Sequence, residues 1–286
     1  MSVVIRRHEL SDAEWVALSR FLPSSGTAGR PRSDDRVVLN GIVWKLRTGS
    51  AWRDVPERYG SWQTLYTRFR RWALDGTFSR MLRQIQAEKD AAGDIDWLVS
   101  VDSTIVRAHQ HAAGGGKGGT GADETADHAL GRSRGGLSTK VHLACDGRGR
   151  PLGFVLTGGN TNDCTRFEQI LESIRVPRVG PGRPRTRPDH VIADKGYSSR
   201  RIRAYLRRRG IHHTIPERAD QVLNRLNRGR RGGRPPVFDQ AAYRLRNVVE
   251  RCFNRLKQWR GLATRYDKTR ESYQATVTIA SILLWI

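Results

Sequence analysis

The sequence predicts an α/β domain, a mixed sheet flanked by helices, preceded by a small helical, helix-turn-helix-like domain. Three observations predict it. Apolar residues recur at helical spacing through the first quarter of the chain, the period changes to that of strands after a polar turn at 93–96, and strands then alternate with helices. At 286 residues there is room for one sizeable core and a smaller module, so two domains are expected, 1–90 and 95–286.

The first helix is expected over 11–21, with Ser11 as N-cap and Glu14 at the capping-box position. A second starts at Asp34 or Asp35, carries Val38, Ile42, Val43 and Leu46 on one face, and stops at Gly49. Ser61 caps a third, Trp62–Leu74, with Trp62, Leu65, Phe69 and Trp72 on one stripe and Arg68, Arg70 and Arg71 around it. Three short helices ending in a basic one fit a DNA-reading module, and a generic helical bundle has the same periodicity. Strands follow at 97–101, 138–144 and 151–157, the last two joined by a turn at 146–149. Then come a helix at 163–174, a strand at 190–193, a helix at 198–209 and a strand at 211–215. Long helical patterns occupy 240–258 and 271 to the end, while the Gly-rich 112–136 and the Arg- and Gly-rich 218–236 read as mobile loops.

Charge names the class of partner. There are 51 Lys and Arg against 28 Asp and Glu, a formal charge of +23. The excess is concentrated: 91–176 is near neutral at −1, whereas 177–237 carries +13. A packed core with a basic groove around it suits nucleic acid, because neutralising phosphates releases condensed counterions. Cys145, Cys164 and Cys252 are far apart with no CxxC pair, which fits a reducing cytoplasm and indicates neither a disulfide framework nor a thiolate zinc site. No apolar run at either end is long enough to span a bilayer, so no membrane association is expected.

Asp102 follows the apolar run 97–101 and Asp194 follows Val191, Ile192 and Ala193, so each carboxylate is expected at the end of a buried strand, where α/β sheets present ligands. Taken singly, such an Asp is more often a cap or turn residue. A third member is suggested by Tyr243, Arg246, Glu250 and Lys257, which all fall within roughly 40° of Glu250 on a helix. That stripe is odd for a core face, although a solvated helix with an ordinary Arg246–Glu250 pair would carry it as well. His109 and His111 are read as loop or DNA contacts in preference to a metal site, and His212 and His213 as part of an edge strand. The glycine run 114–121 lacks the Ser or Thr that a phosphate-binding loop needs after Lys117. Gly-Arg-Pro, at 29–31, 182–184 and 233–235, is similar to a minor-groove tripeptide but short enough to recur by chance.

The spacing Tyr-(2)-Arg-(3)-Glu-(6)-Lys resembles the signature of insertion-sequence DDE transposases. Asp-Ser-Thr at 102–104, Asp-Lys-Gly-Tyr at 194–197 and the Glu250 stripe stand in the order that family uses. The stretches 52–60, 106–112 and 134–143 are similar to the insertion-sequence-five family in particular. The resemblance runs from about residue 10 to 285 and implies a ribonuclease H-like fold for roughly 95–286, with Asp102 and Asp194 on neighbouring strands and Glu250 on a helix alongside.

It also implies a function. Such an enzyme binds the terminal inverted repeats of its element, cleaves the ends to expose 3′-hydroxyls and joins them to target DNA, with two magnesium ions, replaceable by manganese, held by Asp102, Asp194 and Glu250. Three carboxylates suit that chemistry, since magnesium prefers hard oxygen ligands and two ions can serve attacking and leaving oxygens. Arg246, Lys257 and Tyr243, with Lys195, Arg68, Arg70 and Arg71, are the candidate DNA contacts. A homodimer or higher oligomer on paired ends is expected, acting in the cytoplasm at the nucleoid. The competing readings are a ribonuclease H-like nuclease without strand transfer and a catalytically silent DNA-binding regulator. Recognition by 1–90 and chemistry by 95–286 are expected to be separable.

Overall fold

The computed structural model describes residues 6–23, 32–117, 127–133 and 135–286. Four helices come first: α1 (Asp12–Ser19), α2 (Asp35–Thr48), α3 (Trp62–Leu74) and α4 (Thr77–Ala91). Local chemistry sets their ends. The Ser11 hydroxyl accepts from the Glu14 N–H at 3.1 Å while the Glu14 carboxylate accepts from the Ser11 N–H at 2.7 Å, the reciprocal capping box. Asp34 caps α2 through the N–H groups of Arg36 and Val37, and Gly49 ends it in the left-handed region at φ 71°. On α3 the stripe Leu65, Phe69 and Trp72 is buried as its spacing predicts. Helix α4 is an addition to the expected elements; Phe78, Met81, Leu82 and Ile85 stand at helical spacing along it and are buried.

The sheet begins with β1 (Leu98–Ala108) and continues through β2 (Gly131–Ser133), β3 (Gly136–Cys145), β4 (Pro151–Gly158), β5 (His190–Ala193), β6 (His212–Thr214) and β7 (Thr264–Arg265). Its order is β2-β3-β1-β5-β6, with β4 also on β3 and β7 on the far end of β1. β1, β3 and β4 are antiparallel, and β5 and β6 run parallel to β1. This is the mixed sheet of a ribonuclease H-like fold. The turn joining β3 to β4 needs Gly149, whose φ of 77° a side chain would strain.

Around the sheet lie α5 (Phe167–Ser173), α6 (Arg200–Arg208), α7 (Ala219–Asn227), α8 (Gln240–Arg244), α9 (Asn247–Lys257), α10 (Arg260–Ala263) and α11 (Arg270–Trp285). Several expectations are corrected. β1 continues to Ala108 because β3 pairs with it from Ser100 to Arg107, so Asp102 lies within a strand and not at its end. The helix expected at 240–258 is two, broken at Leu245 and Arg246. The segment 218–236, expected to be a loop, holds α7 and a short 3-10 turn, Gly229–Gly232. Of the loop expected at 112–136, residues 118–126 and 134 lie outside the described residues, as does the first Gly-Arg-Pro, and the rest holds the end of a 3-10 turn, Gln110–Lys117, and the strand β2.

Helix α11 joins the two parts of the chain. It is buried along most of its length and packs on α3, α4 and β4. The carbonyl of Pro151, on β4, accepts from both Gln86 of α4 at 3.0 Å and the Trp285 indole at 2.8 Å. One apolar core therefore runs from the N-terminal helices into the sheet. Cutting after residue 90 would strip α4 of its partner, which bears directly on separability. Within the sheet region Arg265 is fully buried; it donates to the Ala129 and Asp267 carbonyls and to the Thr139 hydroxyl, and burial pulls its pKa down to about 10.

Candidate active site

Asp102 and Asp194 stand together because of register. β1 and β5 pair in parallel from Leu98↔His190 to Val101↔Ala193, so each aspartate is the first residue beyond the last pair. Asp194 accepts the Gly196 N–H at 2.8 Å and caps the turn Lys195–Tyr197. A Cβ at Gly196 would sit 2.8 Å from the Asp194 carboxylate, so the close approach depends on glycine. Asp102 accepts the Ser103 N–H at 2.8 Å, and its side chain is 19% exposed. Burial pushes its carboxyl up to about 6; the Ser103 N–H and the Arg246 guanidinium oppose the shift, and Asp194 and Glu250 add to it.

Helix α9 lies against this edge. Val248, Val249, Cys252, Phe253 and Leu256 are buried, and Cys252 meets the Cys145 thiol of β3. Glu250 is left half exposed. From the break before α9, Arg246 donates to Asp102 at 2.8 Å and to Glu250 at 3.1 Å, bridging two carboxylates that are 148 residues apart in sequence. Lys257 donates to the Thr104 hydroxyl at 2.6 Å, on the same face of β1 as Asp102. Tyr243, on α8, is half buried against Phe238 with ring centroids 5.2 Å apart.

The three carboxylates offer only hard oxygen donors, the set that suits magnesium or manganese. Among the described residues, no three His, Cys, Asp or Glu side chains stand close enough in this arrangement to hold an ion. The charge of the Asp102–Glu250 pair is met by Arg246 instead, so loading a cation requires that guanidinium to yield. The carboxylates stand apart from the hollow of about 900 Å³ along β6 that is lined by His190, His212, His213, Arg203, Arg207 and Arg234. His109 and His111 pack edge to face at 4.4 Å, with Tyr266 against His109.

The candidate DNA contacts divide. Lys195 and Arg71 are exposed. Arg68 is buried, paired with Asp35 at 2.9 Å and stacked over Trp72, and Arg70 donates to Thr269 and Ser272 of the α11 region. Both guanidinium groups are spent on internal contacts, so of the three arginines expected as a DNA-facing set only Arg71 points outward. The helical period gives their angle around α3 but not which neighbours pack there.

Two residues beside the carboxylates are not marked by the sequence patterns. Asp163, at the start of an expected helix, accepts from the Ser103 hydroxyl at 2.8 Å and pairs with Lys140 at 3.0 Å. Lys140 is the visible signal, a lysine in the middle of a strand that carries no Asp, Glu or Arg, and it is 11% exposed. His142, fully buried, bonds Thr157 at 2.8 Å and lies 3.6 Å from Asp163; burial pulls its pKa down to about 4, so it is neutral.

The fold, taken with the family comparisons, places the chain in a class of DNA phosphoryl-transfer enzymes. Residues 94–285 match the family model "Transposase DDE domain", and residues 10–82 match "Putative transposase of IS4/5 family". The chain belongs to the insertion-sequence DDE transposases, a family that carries out DNA phosphoryl transfer and uses divalent metal ions. It is 32% identical over 164 residues to "Putative transposase for insertion sequence element IS402" of Burkholderia cepacia, covering 57% of this chain and 69% of that one. It is 28% identical over 150 residues to "Putative transposase for insertion sequence element IS6501" of Brucella ovis, covering 52% of this chain and 99% of that one. The solved structure titled "Mos1 transposase paired-end complex with left transposon end" aligns over 81% of this chain and 80% of that one, at 13% identity and a TM-score of 0.24.

Proposed function

We propose that the protein binds the terminal inverted repeats of its own insertion sequence, cleaves the ends to expose 3′-hydroxyls and joins them to target DNA. The observation that carries this reading is the register: Asp102 and Asp194 both follow the last parallel pair, and the helix of Glu250 is held against them through Arg246. Asp102, Asp194 and Glu250 would hold the divalent ions, magnesium with manganese as substitute. When bound, such ions supply activation of the attacking oxygen and charge stabilisation of the leaving one.

The protein's own side chains do the rest. In the first step water attacks the phosphorus at the element end and the 3′ oxygen leaves as a hydroxyl. In the second, that hydroxyl attacks a target phosphodiester and displaces the target's own 3′ oxygen. Arg246, freed from the carboxylates, can pair bidentately with a phosphate, and Lys257 and Lys195 flank the same edge. Tyr243 presents a ring beside the path. The N-terminal helices, about 1–90, read the repeat with Arg71 on the exposed side of α3, and about 95–286 carry the chemistry. A dimer on paired ends coordinates the cuts, at the nucleoid where the DNA is.

The test is a purified full-length protein with a duplex of the element's terminal repeat and a supercoiled target plasmid in magnesium. Nicked ends and covalent end-to-plasmid products are expected. Cleavage without joining would favour the nuclease reading, and binding without either product would favour the silent regulator.

A further inference from the structure

The turn Asp163–Arg166 belongs to none of the elements that carry Asp102, Asp194 or Glu250, yet it reaches the backbone beside two of them. The Asn162 side chain shapes it by accepting the Cys164 N–H at 3.0 Å. Asp163 accepts from the Ser103 hydroxyl at 2.8 Å, and the Ser103 N–H is the donor held by Asp102 at 2.8 Å. The next residue, Cys164, donates its thiol to the Gly196 carbonyl, and the Gly196 N–H is the donor held by Asp194 at 2.8 Å. Two consecutive residues thus grip two neighbouring carboxylates, each through one intermediary. Lys140 crosses from β3 to fasten the turn at both Asp163 and the Thr161 carbonyl, 3.0 and 2.7 Å away. Tyr197, at the end of the turn that Asp194 caps, is fully buried, its phenol pushed up by burial and by the carboxylates of Asp102, Asp163 and Asp194.

Ser103 faces the opposite side of β1 from Asp102, because side chains alternate along a strand. The grip therefore acts from the face away from Glu250 and Arg246. It does not touch the Asp102 oxygen that Arg246 holds, and it fixes where the backbones at Asp102 and Asp194 stand relative to one another.

We propose that Asp163 and Cys164 are positioning residues that clamp Asp102 and Asp194 at a fixed separation for cation binding. The inference rests on the assignment of Asp102 and Asp194 as ligands. Groups bonded directly to a ligand typically change metal affinity or activity by about 10–100-fold when lost; Asp163 and Cys164 act through one further residue, so the low end of that range is expected.

The experiment measures manganese binding to the full-length protein on a terminal-repeat duplex by electron paramagnetic resonance, beside cleavage as a function of magnesium concentration. Variants are Asp163→Ala, Asp163→Asn, Cys164→Ala and, as control, Asp102→Asn. Asp163→Ala is expected to weaken manganese binding by about 10-fold, with DNA affinity in calcium unchanged. The magnesium needed for half-maximal cleavage should rise in step, and excess magnesium should restore part of the rate, which a general loss of structure would not allow. Asp163→Asn keeps an acceptor for Ser103 and should fall between Asp163→Ala and wild type, and Cys164→Ala should add to either. If Asp163→Ala melts because Lys140 is left unpaired, the double variant Lys140→Met/Asp163→Leu removes both charges and is read in its place. Wild-type manganese binding in Asp163→Ala, or in that double variant, overturns the clamp when Asp102→Asn is inactive. Retained turnover in Asp102→Asn overturns the ligand assignment itself.

Discussion

Charged side chains in this protein are of two kinds. Around Asp102 several charges are tied to partners that other elements bring up: Arg246 to Asp102, Lys140 to Asp163, Lys257 to Thr104. In the stretch that carries α6 and α7, Arg207, Arg208, Arg228, Arg230, Arg231 and Arg234 are exposed, and among the described residues none has an ion-pair partner in the structure. Arginine count alone does not separate the two. The first region is a precise arrangement in which one lost group should be decisive. The second is a distributed field in which single losses should hardly register, because phosphate contact sums over many weak terms.

The sharpest way to break this contrast is at the carboxylates. Asp102→Asn, Asp194→Asn and Glu250→Gln should each abolish cleavage and joining, as should a chelator, while affinity for the repeat stays equal or rises because a negative charge has left a basic surface. Gel-shift and end-cleavage assays on the same preparations decide it; substantial turnover in any one variant removes that residue from the site.

Next in size is the N-terminal helical layer, where α3 holds both kinds of arginine. Arg68→Ala should cost about 2–3 kcal/mol of stability by removing a buried guanidinium that pairs with Asp35 and stacks on Trp72, while Asp35 keeps Arg32. Arg71→Ala should leave the denaturation midpoint unchanged and lower affinity for the repeat. Chemical denaturation with binding titrations reads both, and the reverse pattern would show that Arg68, not Arg71, meets DNA.

A smaller effect follows from the Asp102 carboxyl, which folding raises from 3.8 to about 6. A raised carboxyl means the folded chain holds the extra proton between those values, so stability from this group falls as pH rises through that window and is lost above it. Asp102→Asn removes the cost. In the absence of divalent ions it should be more stable than wild type at pH 7.5, by on the order of 2 kcal/mol, with the gain fading near pH 4. A gain independent of pH would point to packing instead.

The smallest effects belong to the basic stretch. Replacing Arg230 or Arg234 singly by alanine should change affinity little. Replacing Arg228, Arg230, Arg231 and Arg234 together should reduce the log–log salt slope by about 0.9 for each phosphate that is no longer neutralised. Equal weakening on repeat and scrambled duplexes is expected. Weakening confined to the repeat would make this stretch a reader of sequence.

The excised 1–90 fragment gives up α11, against which α3 and α4 pack, so it should be poorly folded and unable to read the repeat alone. Circular dichroism of the fragment against the full chain tests this before any binding comparison is made.

Much of this is legible in sequence because the signals are local. The capping box at Ser11 and Glu14, the stop at Gly49, the helix Trp62–Leu74 and the strand His190–Ala193 all lie where short-range spacing places them, since capping, turn geometry and amphipathic periodicity act over a few residues. The order of Asp102, Asp194 and the Glu250 stripe can likewise be read along the chain. Tertiary structure decided what long-range contact decides: that β1 runs on past Asp102 because β3 pairs with it, that Arg246 sits in a break and bridges two carboxylates, that Arg68 and Arg70 face inward, and that Asp163 and Lys140 stand beside Asp102. An arginine's periodic position fixes the direction it leaves its helix; only the packing partner on that side determines whether the charge meets a carboxylate, a hydroxyl or water.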